Sequence, residues 1–311
     1  WRSRISSTRP YYYVPAGIDI TMMIYNKALF EEAGLDPEAP PETFDEFLAA
    51  AEAISALPPR EDGSPVYGTV FWNDALAWGG WYWNMLGPIY FNINDAEYRV
   101  MNSIGTDIVF DAPEAKLAEF FEFASAAQQF GPPTMDPNFF SRRVGMWPQY
   151  GYSWAPNLDG AADTPMVIGE DVGVAPIPVP EAGMTHYTTL GGRPYMIFQS
   201  NPDQEMLAWE FVKYLMEDEN SLSFCQELGY LPTLTSLKGD PFFTSPERQV
   251  FVEAMENALF PEAFANYDVV ANELLKSYFD VVVEGTLTPE EGVTQAAQSA
   301  RELLGLVTEE E

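Results

Sequence analysis

Residues 11–34, YYYVPAGIDITMMIYNKALFEEAG, decide how the rest of the chain is organised. The first four of them are aromatic or β-branched, as is usual in strands. A Pro-Ala-Gly break follows, and the apolar residues 18–25 predict a second strand. Asn26 is placed to cap a helix over residues 27–33, and Gly34 to end it. Taken alone, this pattern is typical of a buried strand that leads into a surface helix.

The charge of the chain argues against two classes of partner. The 311 residues include 47 acidic and 15 basic side chains, which gives a formal net charge of −32. Phosphate groups are bound mainly by lysine and arginine, so this composition argues against nucleic acid as a partner. It argues equally against binding to anionic membrane surfaces. The acidic residues are spread along the chain and predict a solvated acidic surface, which is compatible with adaptation to high salt.

The single cysteine and the single histidine limit the metal and catalytic sites that the chain can form. Cys225 is the only cysteine, so neither an intrachain disulfide nor a cysteine-based metal site can form. His186 is the only histidine, which nearly excludes His-based triads and multi-histidine metal sites. The sequence has no apolar run of about 18 residues or more that could span a membrane. We therefore expect neither a metal ion nor another cofactor.

Strand and helix signals alternate along the chain, which predicts an α/β fold. Thr43 with Glu46, and Thr288 with Glu291, have the spacing of capping boxes at helix N-termini. The glycine pair at 191–192 allows the backbone to approach a ligand closely, and it precedes an apolar strand. A helix follows, and its spacing predicts a buried side formed by Leu207, Phe211, Tyr214 and Leu215.

Two aromatic segments are candidates for ligand binding. Residues 72–83, WNDALAWGGWYW, contain more tryptophans than one helix needs for packing, although a core helix is the alternative. Indole faces bind the apolar faces of pyranose rings, and nearby polar groups hydrogen-bond hydroxyls. Residues 149–154, QYGYSW, are expected to form a loop with room beside the rings. The candidate ligand-binding residues are Asp19, Trp72, Asn73, Asp74, Trp78, Trp81, Tyr150, Tyr152, Trp154, Gly192 and Arg193.

Catalysis and metal binding are weaker hypotheses. Glycoside hydrolysis needs two carboxylates beside a sugar, and Asp19 and Asp74 are the available pair. In a chain this acidic, however, almost any cleft contains two carboxylates, so we assign no catalytic residue. Residues 92–97, NINDAE, lack the carboxylate spacing and central glycine of a calcium-binding loop. They are expected to form a solvated turn.

Two stretches carry a resemblance to a known family. Residues 23–47, MIYNKALFEEAGLDPEAPPETFDEF, and residues 201–215, NPDQEMLAWEFVKYL, resemble segments of extracellular solute-binding proteins of ABC importers. The resemblance is to the sugar-binding, maltose-binding-protein-like branch of these proteins. It extends from Tyr12 to the C-terminus and is weaker at residues 142–146, where RRVGM replaces the usual GKAAM.

The resemblance implies a type II periplasmic-binding-protein-like fold, with two α/β lobes joined by hinge strands that first cross near residues 15–19. On the family pattern, residues 1–16 are a remnant of lobe one with the first hinge strand. Residues 17–185 form lobe two, residues 186–258 are a later part of lobe one, and residues 259–311 are helices that pack on lobe two. A carbohydrate would bind between the lobes and pass to the transmembrane subunits of an ABC permease.

The same resemblance implies an extracellular or periplasmic monomer without enzymatic activity. Family members carry a long segment before the crossing, which includes a signal and often a lipid-anchored cysteine. We expect that segment, with the first part of lobe one, to be missing from these 311 residues. Alternative ligands are a peptide or a polyol phosphate, and the phosphate would need several basic residues where only Arg193 is a candidate. A docking or sensor protein is a third possibility.

Overall fold

The computed structural model describes residues 13–70, 89–133, 139–151, 165–260 and 266–306. The strands in these residues are β1 (Val14–Asn26), β2 (Tyr67–Thr69), β3 (Val144–Gly151), β4 (Val172–Ala175), β5 (Thr188–Tyr195), β6 (Leu231–Pro232) and β7 (Ala258–Leu259). The helices are α1 (Lys27–Glu32), α2 (Phe44–Ser55), α3 (Phe91–Ile93), α4 (Leu117–Gln128), α5 (Pro202–Leu215), α6 (Asp218–Leu228), α7 (Pro246–Ala254), α8 (Tyr267–Tyr278) and α9 (Pro289–Leu304).

Strand β1 is 13 residues long and hydrogen-bonds to four other strands. Its first half, residues 14–20, pairs antiparallel with β5 on one edge and briefly with β6 on the other. Its second half, residues 21–26, pairs antiparallel with β3 and β4. Strand β2 extends this arrangement parallel to β3, and β7 runs parallel to β5. The result is an open, mixed sheet in an α/β fold, as the alternation of strand and helix signals predicts.

The predicted break at residues 15–17 is wrong, because β1 is continuous. The Pro-Ala-Gly sequence produces a register irregularity between Pro15 and Gly17 instead of ending the strand. A proline lacks the N–H that a regular ladder needs, and an irregularity accommodates it without loss of the pairing that follows. The exchange of partner strands occurs between Ile20 and Thr21, just beyond the predicted crossing.

Buried threonines join β1 to β5 at this exchange. The side-chain oxygens of Thr21 and Thr189 are 2.9 Å apart, and the hydroxyl of Thr188 donates to the carbonyl oxygen of Thr21. The fully buried Asn92 of α3 holds the residue before β5, because its amide accepts from the Tyr187 N–H and donates to the Tyr187 carbonyl. The start of β5 is therefore fixed to both β1 and α3.

Helix starts follow the local chemistry of the sequence. The Asn26 side chain accepts from the N–H of Leu29 at 3.2 Å and caps α1. Both predicted capping boxes are confirmed, at Thr43 for α2 and at Thr288 for α9. Each box satisfies backbone N–H groups that the first turn of a helix leaves without a partner.

The C-terminal helices pack against α4. The rings of Phe120 on α4 and Tyr278 on α8 are stacked with centroids 6.3 Å apart. Arg301 of α9 forms two hydrogen bonds to the carboxylate of Asp111, and a third to Asp107 at 3.2 Å. None of the helices described above combines the length and the apolar character needed to cross a bilayer.

The predicted buried side of α5 is wrong for three of its four residues. Leu207, Phe211 and Tyr214 are 66%, 59% and 53% exposed, and Leu215 is only partly buried. Val212 is the residue of α5 that the structure buries. The apolar spacing is correct as a pattern, but no described residue covers that side of the helix.

We expect Thr189→Val to lower the free energy of unfolding by about 1–3 kcal/mol, because the buried Thr21 hydroxyl loses its hydroxyl partner. The double variant Thr21→Val/Thr189→Val should recover most of that loss, since neither hydroxyl then remains to be satisfied. Urea denaturation of the two single variants and the double variant measures the coupling. Additive losses in the double variant would show that the two hydroxyls do not interact.

Candidate functional site

The carboxylate of Asp19 lies beside Gly151, and Asp19 is paired with Gly191 in the sheet. Asp19 is partly exposed and stands opposite Gly191 in the β1–β5 ladder. On the other side, Gly151 is the last residue of β3 and stands opposite Thr21. A Cβ atom on Gly151 would lie 3.3 Å from both carboxylate oxygens of Asp19. A side chain at position 151 would therefore crowd the Asp19 carboxylate, at the point where β1 exchanges partners.

Arg193 projects from the same face of the ladder as Asp19. Directly opposed residues in an antiparallel pair share a face, and the pairs here are Asp19 with Gly191 and Gly17 with Arg193. Asp19 and Arg193 are thus diagonal neighbours, about 7–8 Å apart by strand geometry. The exposed guanidinium can donate hydrogen bonds and the carboxylate can accept them, so one face offers both functions.

Gly191 and Gly192, where a close approach of the backbone to a ligand is predicted, both lie inside β5. Gly192 stands opposite Ile18, has φ +141°, and a Cβ atom there would lie 2.0 Å from the carbonyl oxygen of Gly17. The glycine pair serves the close approach of two backbones and not a chain reversal. Gly192, one of the predicted site residues, therefore allows the close pairing of β5 with β1, and this pairing positions Asp19.

Tyr150 was expected on a loop and lies instead in β3, opposite Met22 of β1. The strand continues through Gly151 because β1 offers it a hydrogen-bonding edge, which local sequence cannot reveal. Gly151 itself is absent from the predicted site residues. Only the pairing of β1 with β3 shows that it borders Asp19.

Both aromatic segments follow the carboxyl ends of neighbouring strands in the sequence. Strands β2 and β3 are parallel neighbours, so their carboxyl ends point the same way. The segment 71–88 starts directly after Val70, whose N–H donates to the Met146 carbonyl of β3, and the segment 152–164 starts directly after Gly151. The predicted site residues Trp72, Asn73, Asp74, Trp78, Trp81, Tyr152 and Trp154 belong to these segments and lie outside the described residues.

The far end of segment 71–88 is also fixed near the strand exchange. Ile89, Tyr90 and Phe91 are buried in the core, and the next residue is the Asn92 that holds the start of β5. The described residues on either side of segment 71–88 are therefore held to β3 through Val70 and to the start of β5 through Asn92.

Residues 94–96 form a turn, and Asp95 and Glu97 are exposed, as the sequence predicts; the two asparagines of residues 92–97 differ from the prediction. Asn92 and Asn94 are both buried, and Asn94 donates to the carbonyl oxygens of Tyr98 and Ala115 at 3.1 Å. These asparagines satisfy backbone groups in the core. Across the described ranges, no group of three or more His, Cys, Asp or Glu residues is arranged to hold a metal ion.

Two tyrosines near the ends of β5 remain protonated at neutral pH. Burial, followed by the negative charge of Asp95, raises the pKa of Tyr187 above its ordinary value. Burial also raises the pKa of Tyr195. Both hydroxyls therefore stay neutral at pH 7.

We expect Gly192→Ala to destabilise the fold by about 3 kcal/mol or more, since φ +141° is a region nearly reserved for glycine and the new Cβ meets a carbonyl oxygen. Gly151→Ala is the matched control. Its Cβ meets only the end of the Asp19 side chain, so its stability should stay within about 1 kcal/mol of the parent protein. Urea midpoints separate the two variants. Equal stability of both would contradict the close approach of β1 and β5.

Comparisons with known proteins agree with this geometry. A family model described as "Bacterial extracellular solute-binding protein" matches residues 2–221. The solved structure of the cyclic alpha-maltosyl-1,6-maltose binding protein from Arthrobacter globiformis is 24% identical, with a TM-score of 0.74, and the match covers 95% of this chain and 73% of that one. An ABC transporter solute-binding protein from Thermotoga lettingae TMO, bound with alpha-D-tagatose, is 23% identical, with a TM-score of 0.75 and coverage of 97% and 74%.

A third structure, of an ABC transporter solute-binding protein from Agrobacterium radiobacter K84 in complex with ribitol, is 20% identical, with a TM-score of 0.70 and coverage of 96% and 73%. At these identities the three structures establish the fold, which is the two-lobed, periplasmic-binding-protein-like α/β arrangement. The family model covers more than half of the sequence. The chain is therefore a member of the bacterial extracellular solute-binding protein family.

Proposed function

We propose that this chain is the carbohydrate-binding component of an ABC importer and that it captures a mono- or oligosaccharide beside Asp19. The observation that carries the proposal is the carboxylate of Asp19 at the exchange point of β1, beside Gly151, which has no side chain to crowd it. Ligands of open α/β sheets bind at such topological switch points, beyond the carboxyl ends of strands.

The chemistry of this face suits a neutral polyhydroxy compound. A carboxylate accepts hydrogen bonds from two adjacent hydroxyl groups, and the guanidinium of Arg193 donates to ring or hydroxyl oxygens. The aromatic segments 71–88 and 152–164 follow the carboxyl ends of β2 and β3 in the sequence, and their rings would stack on a pyranose. One of the compared proteins is named for binding cyclic alpha-maltosyl-1,6-maltose, a second is bound with alpha-D-tagatose, and a third is in complex with the polyol ribitol. These proteins support the same ligand class.

Charge disfavours a polyol phosphate as the ligand. A polyol phosphate requires several cationic donors, whereas Arg193 is the basic residue that the described strands bring to this face. The net charge of −32 would also oppose the approach of an anion. A neutral polyol is the second candidate, because it uses the same hydroxyl chemistry and one compared protein is bound to ribitol. The residues near Asp19 give no reason to assign a catalytic step.

Capture would involve closure of two lobes about β1 and β5. On this proposal, residues 17–185 and 259–311 form one lobe, and residues 1–16 and 186–258 belong to the other. The packing of α9 and α8 against α4 supports the first grouping. A sugar that touches both lobes would favour the closed state, and the closed state would then dock on the transmembrane subunits of the permease. The family fits an extracellular or periplasmic location.

We expect thermal-shift screening and calorimetry of the complete protein against mono- and oligosaccharides to identify a sugar that raises its Tm. At a hundredfold excess over Kd, binding adds about 2.7 kcal/mol of stability. Asp19→Ala should keep the parent Tm without sugar but lose most of the shift. Glu52→Ala, which removes an exposed carboxylate on α2, should keep it. If Asp19→Ala binds as tightly as the parent protein, the carboxylate is not part of the site.

The aromatic segments give a separate test with the sugar that this screen identifies. Trp78→Ala and Trp154→Ala should each weaken its binding by about 1 kcal/mol or more, because stacking of an indole on a pyranose is lost. If no sugar raises the Tm of the parent protein and neither variant differs from it, the carbohydrate proposal fails. Turnover of a glycosidic substrate that is lost on Asp74→Asn would instead favour a hydrolase.

A further inference from the structure

The three passages of the chain between the proposed lobes meet at Thr188 and Thr189. On the proposed grouping, the chain crosses within β1, just before β5 and within β7. The hydroxyl of Thr188 donates to the Thr21 carbonyl oxygen of β1, and Thr188 and Thr189 pair with Ala258 and Leu259 of β7. Both threonines are buried. The relative orientation of the lobes therefore depends on what holds the residues on either side of this pair.

Asn92 holds the residue on one side, Tyr187, in the way that a neighbouring strand would. Its side-chain oxygen accepts from the Tyr187 N–H at 2.6 Å, and its side-chain nitrogen donates to the Tyr187 carbonyl oxygen at 3.1 Å. Two such bonds to one residue are the pattern of a hydrogen-bonded pair in an antiparallel ladder, supplied here by one side chain. Because Asn92 is fully buried, water competes poorly for these bonds. The entry to β5 is thus bound to α3.

The turn after α3 holds Tyr187 a second time. Asp95 and Ala96 have φ +54° and +56°, a left-handed conformation that is uncommon for residues other than glycine. The Ala96 N–H donates to the Phe91 carbonyl oxygen at 2.8 Å and closes this turn. Burial first, and then the charge of Asp95 and a hydrogen bond to its carboxylate, raise the pKa of Tyr187. Both the backbone and the hydroxyl of Tyr187 are therefore held by the segment that follows Phe91.

Strand β5 is held less tightly beyond Leu190. Thr188, Thr189 and Leu190 are buried, whereas the two glycines that follow are partly exposed and Arg193 is exposed. Glycine tolerates a wide range of backbone dihedrals, and hinges are formed by a few residues that absorb such changes. A rotation of one lobe against the other would consequently be absorbed on the far side of Thr189 from Asn92.

We propose that Asn92 is a positioning residue for lobe closure. Acting through Tyr187, it fixes the entry to β5 on the lobe that contains α3, so that the lobes rotate about the glycines that follow Leu190. Without this contact the entry to β5 moves against α3, and the lobes adopt a wider range of orientations. The inference rests on the closure that is part of the proposed function, but it depends on no particular ligand.

Distance measurements between spin labels in the complete protein, without any sugar, test this role. The labels are placed at Glu52→Cys on α2 and Glu219→Cys on α6, which are exposed positions on different proposed lobes. Asn92→Ala removes both bonds to the backbone of Tyr187. It should make the label-to-label distance distribution about twofold broader than in the labelled parent protein.

Asn94→Ala is the matched control. Asn94 is also buried, but the hydrogen bonds of its side chain reach Tyr98 and Ala115, which belong to the same proposed lobe. Both alanine variants should lower the midpoint of urea denaturation, because each leaves buried backbone groups without a partner. Only Asn92→Ala should broaden the distance distribution. A loss of stability alone therefore does not count as support.

Asn92→Asp provides a second readout if the alanine variant does not fold. An ionised carboxylate at this position accepts from the Tyr187 N–H but cannot donate to the Tyr187 carbonyl, whereas the protonated acid does both. Burial and the nearby carboxylates of Asp95 and Glu97 would raise the pKa of the introduced group. The distribution should be broad at about pH 8 and return to the parent width at about pH 5. Since His186, Asp95 and Glu97 adjoin this contact in the sequence, the parent protein at both pH values is the control.

The outcomes separate this inference from the carbohydrate proposal. A parent-like distribution for Asn92→Ala, an equal broadening for Asn94→Ala, or a width of Asn92→Asp that does not change with pH would each overturn the role of Asn92. None of these results bears on which sugar binds. A parent protein that binds no sugar would end the carbohydrate proposal and leave the comparison of the variants intact.

Discussion

A strand has two edges, and each edge can hydrogen-bond to one neighbour at any point along its length. Strand β1 pairs on both edges, with β5 and β6 in its first half and with β3 and β4 in its second half. Two groups of strands therefore meet along one continuous backbone, and the partners change between Ile20 and Thr21. Asp19 lies two residues before Thr21, beside this exchange. The position of the candidate site follows from the pairing of β1 more than from any single side chain.

Glycine makes this arrangement possible in two different ways. At Gly192 the backbones of β5 and β1 approach so closely that any Cβ would overlap the Gly17 carbonyl. At Gly151 the backbone would tolerate a larger residue, but the side chain would fill the space beside the Asp19 carboxylate. The first glycine is needed for the fold and the second for the free volume of the site. The buried threonine contacts between β1 and β5 then fix the two strands at the exchange.

The sequence predicts correctly what depends on local chemistry. The Asn26 cap and the two capping boxes involve residues three positions apart, so their spacing is visible without a structure. The approach of Gly192 to the backbone of β1 was not predicted, because this strand is set by pairing with residues far away in the chain. The same reason placed Tyr150 on a loop. For Leu207 and its neighbours on α5, periodicity showed that the stripe is apolar but could not show what packs on it. Asp19 was proposed from the sequence, whereas the position of Gly151 beside it required the register of β3.

The central claim is that β1 joins two groups of strands that close on a sugar at Asp19. Distance measurements between two spin labels test it most directly, one at Glu52→Cys on α2 and one at Glu219→Cys on α6. Both positions are exposed, and burial raises the pKa of the single native thiol, Cys225, to about 12, so it stays unlabelled. Saturation of the complete protein with the sugar that raises its Tm should shift the label-to-label distance distribution to shorter values. A distribution unchanged at saturation would contradict closure about β1.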